Sequence, residues 1–243
     1  MIDFHSHILP NIDDGSKSVE ESINLVKEAA QAGFTGIIST SHYLQGYYES
    51  DEQERKSLLT SIIDESTKLC REDIAQIPQL YLGSEIYITT DIIKLLEEKK
   101  ASTINNTKYV LFELPMNSKP LFAKEVVYKL IECGYKPIIA HPERYSYVKE
   151  DITFVKELKD MGALFQSNYG SIIGMYGSSA KKTVKKLLKE NCISFLGSDV
   201  HKTGQIYSQI PKILKKLNKW IPSDMTQNLT TLNAQKVLEN QGI

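Results

Sequence analysis

The chain has 243 residues, of which 41% are apolar and 24% are charged. This composition is ordinary for a globular protein and excludes a disordered or fibrous chain. The 29 basic and 30 acidic residues give a net charge of −1, so no nucleic acid partner is expected. Since a (β/α) barrel of this length routinely forms one domain, we expect a single domain over residues 1–243.

The sequence predicts no membrane span and no secretion signal. Its apolar runs are far too short to cross a bilayer, and the N-terminal MIDFHSH lacks a basic region followed by an apolar one. Cys70, Cys133 and Cys192 form no CxxC pair, which argues against disulfides and against a cysteine-based zinc site. We therefore expect a cytoplasmic protein with free, partly buried thiols.

Short β-rich segments alternate with longer helical patterns along the whole chain. The predicted strands are, in order, Ile2–Phe4, Gly36–Thr40, Leu80–Ser84, Tyr109–Phe112, Pro137–Ala140, Leu164–Ser167 and Ile193–Gly197. The clearest predicted helix is Val19–Ala32, with a capping box at Ser18 and Glu21 and a stop at Gly33. From about Ser223 onward, the pattern predicts a terminal pair of polar helices that covers the strands.

This alternation predicts parallel strands joined by right-handed crossovers, as in a doubly wound sheet or a (β/α) barrel. A dinucleotide-binding doubly wound sheet has a glycine-rich loop after its first strand, whereas here that position holds His5-Ser-His7. We therefore predict an α/β fold of the distorted seven-stranded (β/α) TIM-like barrel type. The lysine-rich segment 181–189 fits the solvated face of an amphipathic helix.

The five histidines all lie at or just beyond the carboxyl ends of predicted strands, and four carboxylates occupy matching places. These nine residues are His5, His7, Asp14, His42, Glu85, Glu113, His141, Asp199 and His201. In a barrel, those strand ends open into one mouth. Because His5 and His7 are two residues apart on a strand, their imidazoles face the same side, and Asp199 and His201 repeat this spacing. The nine residues are therefore candidate metal ligands.

Nine nitrogen and oxygen donors exceed what one ion needs, which indicates two or three ions bridged by carboxylate. Without thiolates, the donor set suits manganese, iron, zinc, cobalt or magnesium and does not choose among them. A single HxH pair or a single strand-end carboxylate is weak evidence, and the coincidence of all five histidines carries the prediction. No cysteine starts a CxxxxxR loop and no GxSxG elbow is present, which argues against a cysteine or serine nucleophile.

Among the three arginines, Arg144 is the candidate ligand for a phosphate. It follows His141 in the segment HPER, and its planar fork suits two phosphate oxygens beside the metals. The structural alternative is a loop salt bridge with Glu143 or Glu150. For Arg55 and Arg71, in a polar helical region, a solvated surface position is expected.

Six segments carry a family resemblance: FHSHILPNIDDGSKS near the start, TSH at 40–42, GSEI at 83–86, FELP at 112–115, AHPERY at 140–145 and GSDVH at 197–201. Over nearly the whole chain they resemble the polymerase-and-histidinol-phosphatase (PHP) superfamily. Within it, the match is closest to bacterial manganese-dependent protein-tyrosine phosphatases of capsular and exopolysaccharide synthesis loci. The resemblance implies a three-metal site with the nine ligands above and Arg144 on the substrate phosphate. It also implies a phosphotyrosyl protein as partner, a polysaccharide-assembly tyrosine kinase with a tyrosine-rich tail.

Two positions depart from what some of these relatives carry. After His201 the chain continues Lys202-Thr-Gly-Gln-Ile, where some relatives have a second arginine, and Tyr43 follows His42 where some have a basic residue. Both departures make the anion pocket less basic. An aromatic rim for phosphotyrosine is one interpretation of a set of five tyrosines, for which surface filling is the alternative: Tyr43, Tyr47, Tyr48, Tyr169 and Tyr176.

These features together predict hydrolysis of phosphotyrosine by a metal-activated hydroxide attacking in line. Arg144 would steady the phosphoryl oxygens, and His42 and Asp199 belong to the same catalytic centre. Alternatives are a small-molecule phosphomonoesterase of the histidinol-phosphatase type, a metal-dependent nuclease and a metal-binding module without activity. The balanced charge argues against the nuclease.

Overall fold

The computed structural model describes residues 1–73 and 76–243, with side chains described outside 69–75. Cys70 and Arg71 therefore lie outside the described side chains. Of the other two cysteines, Cys133 is exposed and Cys192 is buried, so partial burial was wrong for the first.

The described residues form nine strands, and every hydrogen-bonded pair of neighbours is parallel. They are β1 (Ile2–Ser6), β2 (Gly36–Ser39), β3 (His42–Tyr43), β4 (Gln79–Leu82), β5 (Glu85–Tyr87), β6 (Tyr109–Glu113), β7 (Lys136–Ala140), β8 (Leu164–Asn168) and β9 (Phe195–Gly197). All seven predicted strands are present, and the parallel α/β fold is confirmed. The short strands β3 and β5 follow β2 and β4 after a break in each.

The strands divide between two hydrogen-bonded sheets. One has the order β1-β2-β4, and the other has the order β3-β5-β6-β7-β8-β9. Gly83 lies in the break between β4 and β5, where an added Cβ would lie 2.7 Å from Ile104 Cδ1 and the end of that side chain would have to shift. β1 and β9 are edge strands of different sheets. Beside them, Asp199 N donates to His5 O at 2.8 Å and His7 N donates to Val200 O at 2.9 Å. The loop after β9 therefore lies against the end of β1.

Helices connect and flank the strands. They are α1 (Val19–Gln31), α2 (Glu52–Asp73), α3 (Ile92–Glu97), α4 (Ala123–Glu132), α5 (Ser146–Glu150), α6 (Thr153–Asp160), α7 (Tyr169–Ile173), α8 (Gly177–Lys189), α9 (Ile210–Leu217), α10 (Ser223–Gln227) and α11 (Asn233–Leu238). The predicted first helix is confirmed: Ser18 Oγ accepts from Glu21 N at 3.1 Å, and Gly33 follows the helix at φ +87°. None of the helices in the described part of the chain is long and apolar enough to cross a membrane.

The C-terminal segment is one helical run rather than a helix pair. A π-helical turn over Asn228–Leu232 joins α10 directly to α11, and the junction residues keep right-handed helical dihedral angles. The expected turn between two helices is absent because no glycine or proline stands between Pro222 and Gly242. The run covers the amino ends of the strands.

Two apolar clusters pack on the opposite faces of the strands. The larger one lies between the strands and the surrounding helices. The smaller one contains Ile2, Phe4, Tyr109 and Phe195 with residues of α11, and the rings of Phe4 and Phe195 stack at 3.9 Å between centroids. Alternate residues of each strand thus face different clusters, as the period of two requires.

Candidate metal centre

The structure brings all nine predicted ligands together at the carboxyl ends of the strands. His5 lies in β1, His42 begins β3, Glu85 begins β5 and Glu113 ends β6. The other five lie in loops directly after β1, β7 and β9: His7, Asp14, His141, Asp199 and His201. Parallel strands place these ends at one edge, which explains why residues far apart in sequence meet there.

Glu85 lies at the centre of the cluster. Its Oε2 atom is 3.2 Å from His5 Nε2, 3.4 Å from His7 Nε2 and 3.1 Å from His42 Nδ1. Its Oε1 atom is 2.8 Å from His141 Nε2. One buried carboxylate thus faces four of the five histidines.

The donor atoms fall into four groups in which all atoms lie within 4.8 Å of one another. The groups are His7–Asp14–His42–His201, His5–Glu85–His141, His5–His7–Asp199 and His42–Glu85–Glu113. Four residues, His5, His7, His42 and Glu85, belong to two groups each. The carboxylate of Glu85 could bridge neighbouring ions through its two oxygens, whereas each shared histidine would bind only one ion through a single ring nitrogen.

Two observations test whether these residues fit metal ions. Glu85 Oε2 is buried and has no hydrogen-bond partner among the described residues, which is costly for a carboxylate oxygen. The Nε2 atoms of His5 and His7 face each other at 3.0 Å, although at most one of two neutral imidazoles can donate there. Both arrangements are relieved when the lone pairs point at a cation. The donor set therefore fits divalent metal ions.

In the metal-free protein the carboxylates of the cluster differ strongly in proton affinity. Burial and the charges of Glu85 and Asp199 raise the pKa of Glu113 to about 9. Burial also opposes ionisation of Glu85, but the facing histidines outweigh it and hold its pKa well below the ordinary value. One carboxyl group is thus protonated because its neighbours are charged, and cations would remove this repulsion.

Asp13 supports two ligands and was missed in the sequence. It is buried, its Oδ2 lies 2.8 Å from His7 Nδ1, and the same oxygen accepts from His42 N at 2.9 Å. A carboxylate on the far nitrogen of a metal-binding imidazole sets its tautomer and orientation. The only signal in the sequence was the pair Asp13-Asp14, of which only Asp14 was predicted as a ligand.

Polar side chains of β8 support the other side of the cluster. Gln166 Oε1 lies 3.0 Å from His5 Nδ1, and Asn168 Nδ2 donates to Asp199 Oδ2 at 2.6 Å. Gln166 and Asn168 are two residues apart and hydrogen-bond to each other at 2.9 Å. A strand that ends in alternating buried amides is the signal that would have indicated them.

Backbone irregularities aim several of these side chains. The β1–β2 register shifts by one residue between Asp3 and Ser6, in the stretch that contains His5. His141 and Asp199 have φ of +32° and +54°, a left-handed conformation that is uncommon for residues other than glycine. Such strain is typical of functional sites whose surroundings hold the residue in place.

Arg144 lies at the rim of the cluster in a pocket between the loops after β7, β8 and β9. Its Nη1 donates to Asp199 Oδ2 at 2.6 Å, and its guanidinium carbon lies 4.5 Å from the ring centroid of Tyr176. The pocket is also lined by Ser198, His201 and Gln205. A salt bridge of Arg144 with Glu143 or Glu150 is therefore wrong, because its partner is Asp199.

Glu143 has a different role from the one considered in the sequence. It is fully buried and accepts hydrogen bonds from Ser167 Oγ, Asn168 N and Ser171 Oγ at 2.8, 2.9 and 2.6 Å. These bonds tie the HPER turn to β8 and α7. Glu143 thus fixes the turn from which Arg144 reaches the pocket.

The surface position expected for Arg55 is wrong. Its side chain is fully buried, donates to Lys100 O and Ser102 Oγ at 3.0 Å each, and also donates to the carbonyl of Ser50. These acceptors replace water around the guanidinium, so the charge is tolerated inside. Arg55 joins the start of α2 to the segment after α3.

Only two of the five tyrosines considered for a rim contact the centre. Tyr48 stacks on His42 at 5.9 Å, and Tyr176 lies over Arg144. Tyr43 and Tyr169 are buried in the larger apolar cluster, so a place in the rim is wrong for both. Since Tyr43 is buried in the core, it does not contribute to the anion pocket of this chain.

Comparison with known proteins places the chain in a family. Residues 1–239 match the model of the family described as "Capsular polysaccharide synthesis, CpsB/CapC". The chain belongs to the CpsB/CapC family. The resemblance stated from the six sequence segments is thereby confirmed.

Related proteins carry consistent names. The chain is 34% identical to the tyrosine-protein phosphatase YwqE of Bacillus subtilis, covering 100% of this chain and 93% of YwqE. It is 36% identical to the putative tyrosine-protein phosphatase CapC of Staphylococcus aureus, covering 83% of this chain and 77% of CapC. A solved structure described as YwqE from Bacillus subtilis and CpsB from Streptococcus pneumoniae, "unique metal-dependent tyrosine phosphatases", aligns with a TM-score of 0.90. Its identity to this chain is 33%, with coverage of 100% of this chain and 96% of that one.

A more distant likeness concerns the fold alone. The histidinol phosphate phosphatase of Lactococcus lactis aligns with a TM-score of 0.55 at 14% identity, over 90% of this chain and 94% of that one. At this identity the match adds nothing about the substrate of the CpsB/CapC member described here.

Proposed function

We propose that this protein is a metal-dependent tyrosine-protein phosphatase that hydrolyses phosphotyrosine in proteins. The observation that carries the proposal is the convergence of nine nitrogen and oxygen donors beside a pocket that contains Arg144. The names of the family members and of the aligned structure support the same reaction.

We propose that the ligands are the nine residues predicted from the sequence, shared among two or three manganese ions. Bound divalent ions would act as Lewis acids toward the phosphoryl group and lower the pKa of water toward neutrality. Iron, zinc, cobalt or magnesium suit the same oxygen and nitrogen donors. Asp13 and Gln166 hold the imidazoles of His7 and His5 through their Nδ1 atoms, which leaves both Nε2 atoms directed at the centre.

Arg144 is the side chain proposed to bind the substrate phosphate. Its guanidinium already pairs with a carboxylate oxygen of Asp199 at the edge of the cluster, and its fork can hold two phosphoryl oxygens. Tyr176 lies against the guanidinium and, with Met175 and Ile206, gives the pocket an apolar side suited to a tyrosyl ring. The phenolate, with a pKa near 10, is a good leaving group and needs no strong acid.

We further propose that the two sheets close into one distorted seven-stranded barrel, in which β3 and β5 continue β2 and β4. The hydrogen bonds between the end of β1 and the loop after β9 support closure at that edge. The parallel bridge between Ser6 and Val200 supports it as well.

The partner that we propose is a phosphotyrosyl protein, a tyrosine kinase of polysaccharide assembly with a tyrosine-rich tail. The description of the family as belonging to capsular polysaccharide synthesis supports this choice. The kinase tail, as the substrate, would be supplied by another chain.

The decisive experiment measures phosphate release from a phosphotyrosyl peptide by manganese-loaded protein, by chelated protein and by H42A, with metal content determined for each. We expect turnover only in the loaded wild type. Histidinol phosphate and single-stranded DNA are tested in parallel. Preferred turnover of histidinol phosphate, release of nucleotides, or no turnover of any substrate by metallated protein would each overturn the proposal.

A further inference from the structure

Positive charge is concentrated in one segment of this nearly neutral chain. Between residues 177 and 222 the sequence contains ten of the 29 basic residues, all lysine, and only two of the 30 acidic residues. This segment includes α8 and α9. The lysines of α8 occupy the solvated face, as expected, but this face is shared with lysines of the neighbouring helix.

Four of these lysines form a group that we call the lysine cluster: Lys181 and Lys185 of α8 with Lys212 and Lys216 of α9. The Nζ atoms of Lys185 and Lys216 lie 5.3 and 5.4 Å from the ring centroid of Trp220. The nearby Lys181 ammonium, partial burial and the charges of Lys212 and Lys185 lower the pKa of Lys216 to about 8.

The lysine cluster has no counter-charge of its own. None of the salt bridges formed by lysines in the described part of the chain involves these four side chains. Like charges held together cost free energy, and a bound anion would remove that cost. No carboxylate among the described side chains supplies that anion.

One member of the lysine cluster, Lys181, lies against a segment that leads into the pocket of the metal centre. The stem of Lys181 covers Gly174, where an added Cβ would lie 3.4 Å from Lys181 Cδ. Met175 and Tyr176, which follow Gly174 in sequence, line the pocket with Arg144. At 1.5 Å per residue, Lys181 and Lys185 lie about 6 and 12 Å along α8 from its first residue.

This spacing matches a short length of extended peptide. At about 3.4 Å per residue, two to four residues of extended chain span roughly 7–14 Å. A substrate segment that left the Arg144 pocket along α8 would bring side chains two to four residues from its phosphotyrosine over Lys181 and Lys185.

We propose that the lysine cluster is a second anion-binding surface, which holds a phosphate or carboxylate group of the substrate two to four residues from the reacting phosphotyrosine. The inference rests on the proposed phosphatase function and deepens it: the preferred substrate is a polyanionic segment with closely spaced phosphotyrosines or acidic residues. Lysine suits this role because its ammonium groups are mobile point charges that accept anions in several positions. The sole tryptophan of the chain supplies an apolar floor beneath them.

The test uses K185Q/K216Q, which removes the two ammonium groups over Trp220, and K186Q/K215Q as the matched control. The control changes exposed neighbouring lysines of the same two helices and removes the same charge. Substrates are p-nitrophenyl phosphate, a singly phosphorylated tyrosyl peptide with neutral flanks, and the same peptide with a second phosphotyrosine four residues away. All assays use manganese-loaded protein at low salt and again at high salt.

We expect wild type to prefer the doubly phosphorylated peptide and K185Q/K216Q to lose about three- to tenfold in kcat/KM on it, through KM. Turnover of p-nitrophenyl phosphate should be unchanged, and high salt should remove most of the difference. Equal losses in K185Q/K216Q and K186Q/K215Q would overturn the inference, as would equal kcat/KM of wild type on both peptides.

Trp220 allows a binding measurement that does not depend on turnover. Titrating chelated wild type with the doubly phosphorylated peptide should give a saturable change in tryptophan fluorescence that is absent in K185Q/K216Q. If no substrate is hydrolysed but this change is seen, the phosphatase proposal fails while the anion surface stands. Tighter cluster-dependent binding to phosphatidylserine vesicles or to single-stranded DNA than to the peptide would overturn the inference.

Discussion

At the amino ends of the strands, Ile2 and Phe195 pack with Ala234 and Val237 of the terminal helix in a wholly apolar cluster. At the carboxyl ends of the same strands, five imidazoles and four carboxylates meet within a few ångströms, and one buried oxygen of Glu85 has no hydrogen-bond partner. The first region is stable as it stands. The second is costly without cations, because buried like charges and an unpaired buried acceptor oppose folding.

Strand β1 contains both regions in five residues. Ile2 and Phe4 belong to the apolar cluster, and His5 belongs to the metal centre. Stability and chemistry are thus assigned to different ends of the strands, and we expect that each end can be changed without the other.

The largest effect is expected from Glu85→Gln. This change removes the carboxylate that faces four histidines and belongs to two donor groups. We expect phosphatase activity to fall about 10³-fold or more, with loss of bound manganese, because an amide is a poor ligand for a divalent cation. Turnover and metal content by mass spectrometry measure this. Retention of full metal content and activity would contradict the central place given to Glu85.

The matched change at the other end is Ile2→Ala. Truncating this buried side chain should lower the free energy of unfolding by about 2–4 kcal/mol, as measured by urea denaturation. Turnover per folded molecule should stay within about twofold of wild type. A large loss of turnover in folded I2A would contradict the assignment of stability and chemistry to different ends of the strands.

Arg144→Ala should have the next largest effect on activity. We expect kcat/KM for a phosphotyrosyl peptide to fall about 10²-fold, because the substrate phosphate loses a charged, forked donor. Arg144→Lys should recover only part of the loss, since a point charge does not replace the fork. Circular dichroism and manganese content serve as controls. Equal activity of the alanine and wild-type proteins would remove Arg144 from the site.

Asp13→Asn tests whether a residue outside the four donor groups affects metal binding. The carboxylate accepts at 2.8 Å from the His7 ring and at 2.9 Å from His42 N, and it is not itself among the donor groups. We expect manganese affinity to fall about 10–100-fold while turnover at saturating manganese falls less. Activity as a function of manganese concentration measures both. Unchanged affinity would show that Asp13 does not orient these ligands.

The smallest effect is a pH dependence of the chelated protein. Glu113 has its pKa raised from 4.5 to about 9, so between these pH values the folded state holds a proton that the unfolded state has lost. Stability should therefore fall as pH rises from about 5 to 9. His5 and His7, whose pKa values are also raised, add to this slope.

The difference between wild type and Glu113→Gln isolates the contribution of Glu113. The chelated variant should show a flatter dependence of unfolding free energy on pH than the chelated wild type, as measured by urea denaturation at three pH values. Manganese should flatten the wild-type dependence, since ligand binding favours the ionised carboxylate. Parallel slopes for the two chelated proteins would show that Glu113 is ionised in the metal-free centre.

Much of the fold and of the candidate site follows from the sequence alone, for local physical reasons. The β-rich segments of the sequence predicted the seven strands, and the Ser18 cap and Gly33 predicted the bounds of the first helix. Because parallel strands share one carboxyl edge, the nine donor residues were expected to lie together there. Their role as ligands stays a prediction. The CpsB/CapC family was predictable because the motifs lie in order along the chain.

Other features were decided by contacts between distant segments. The shifted register of β1 around His5 depends on pairing with β2. Arg55 shares the spacing of the apolar face of α2, but carbonyls from two other segments were needed to bury it. The lysine cluster exists only because side chains of α8 and α9 meet around Trp220. Local patterns determine which residue types follow each strand, whereas burial and charge clustering depend on which segments meet in space.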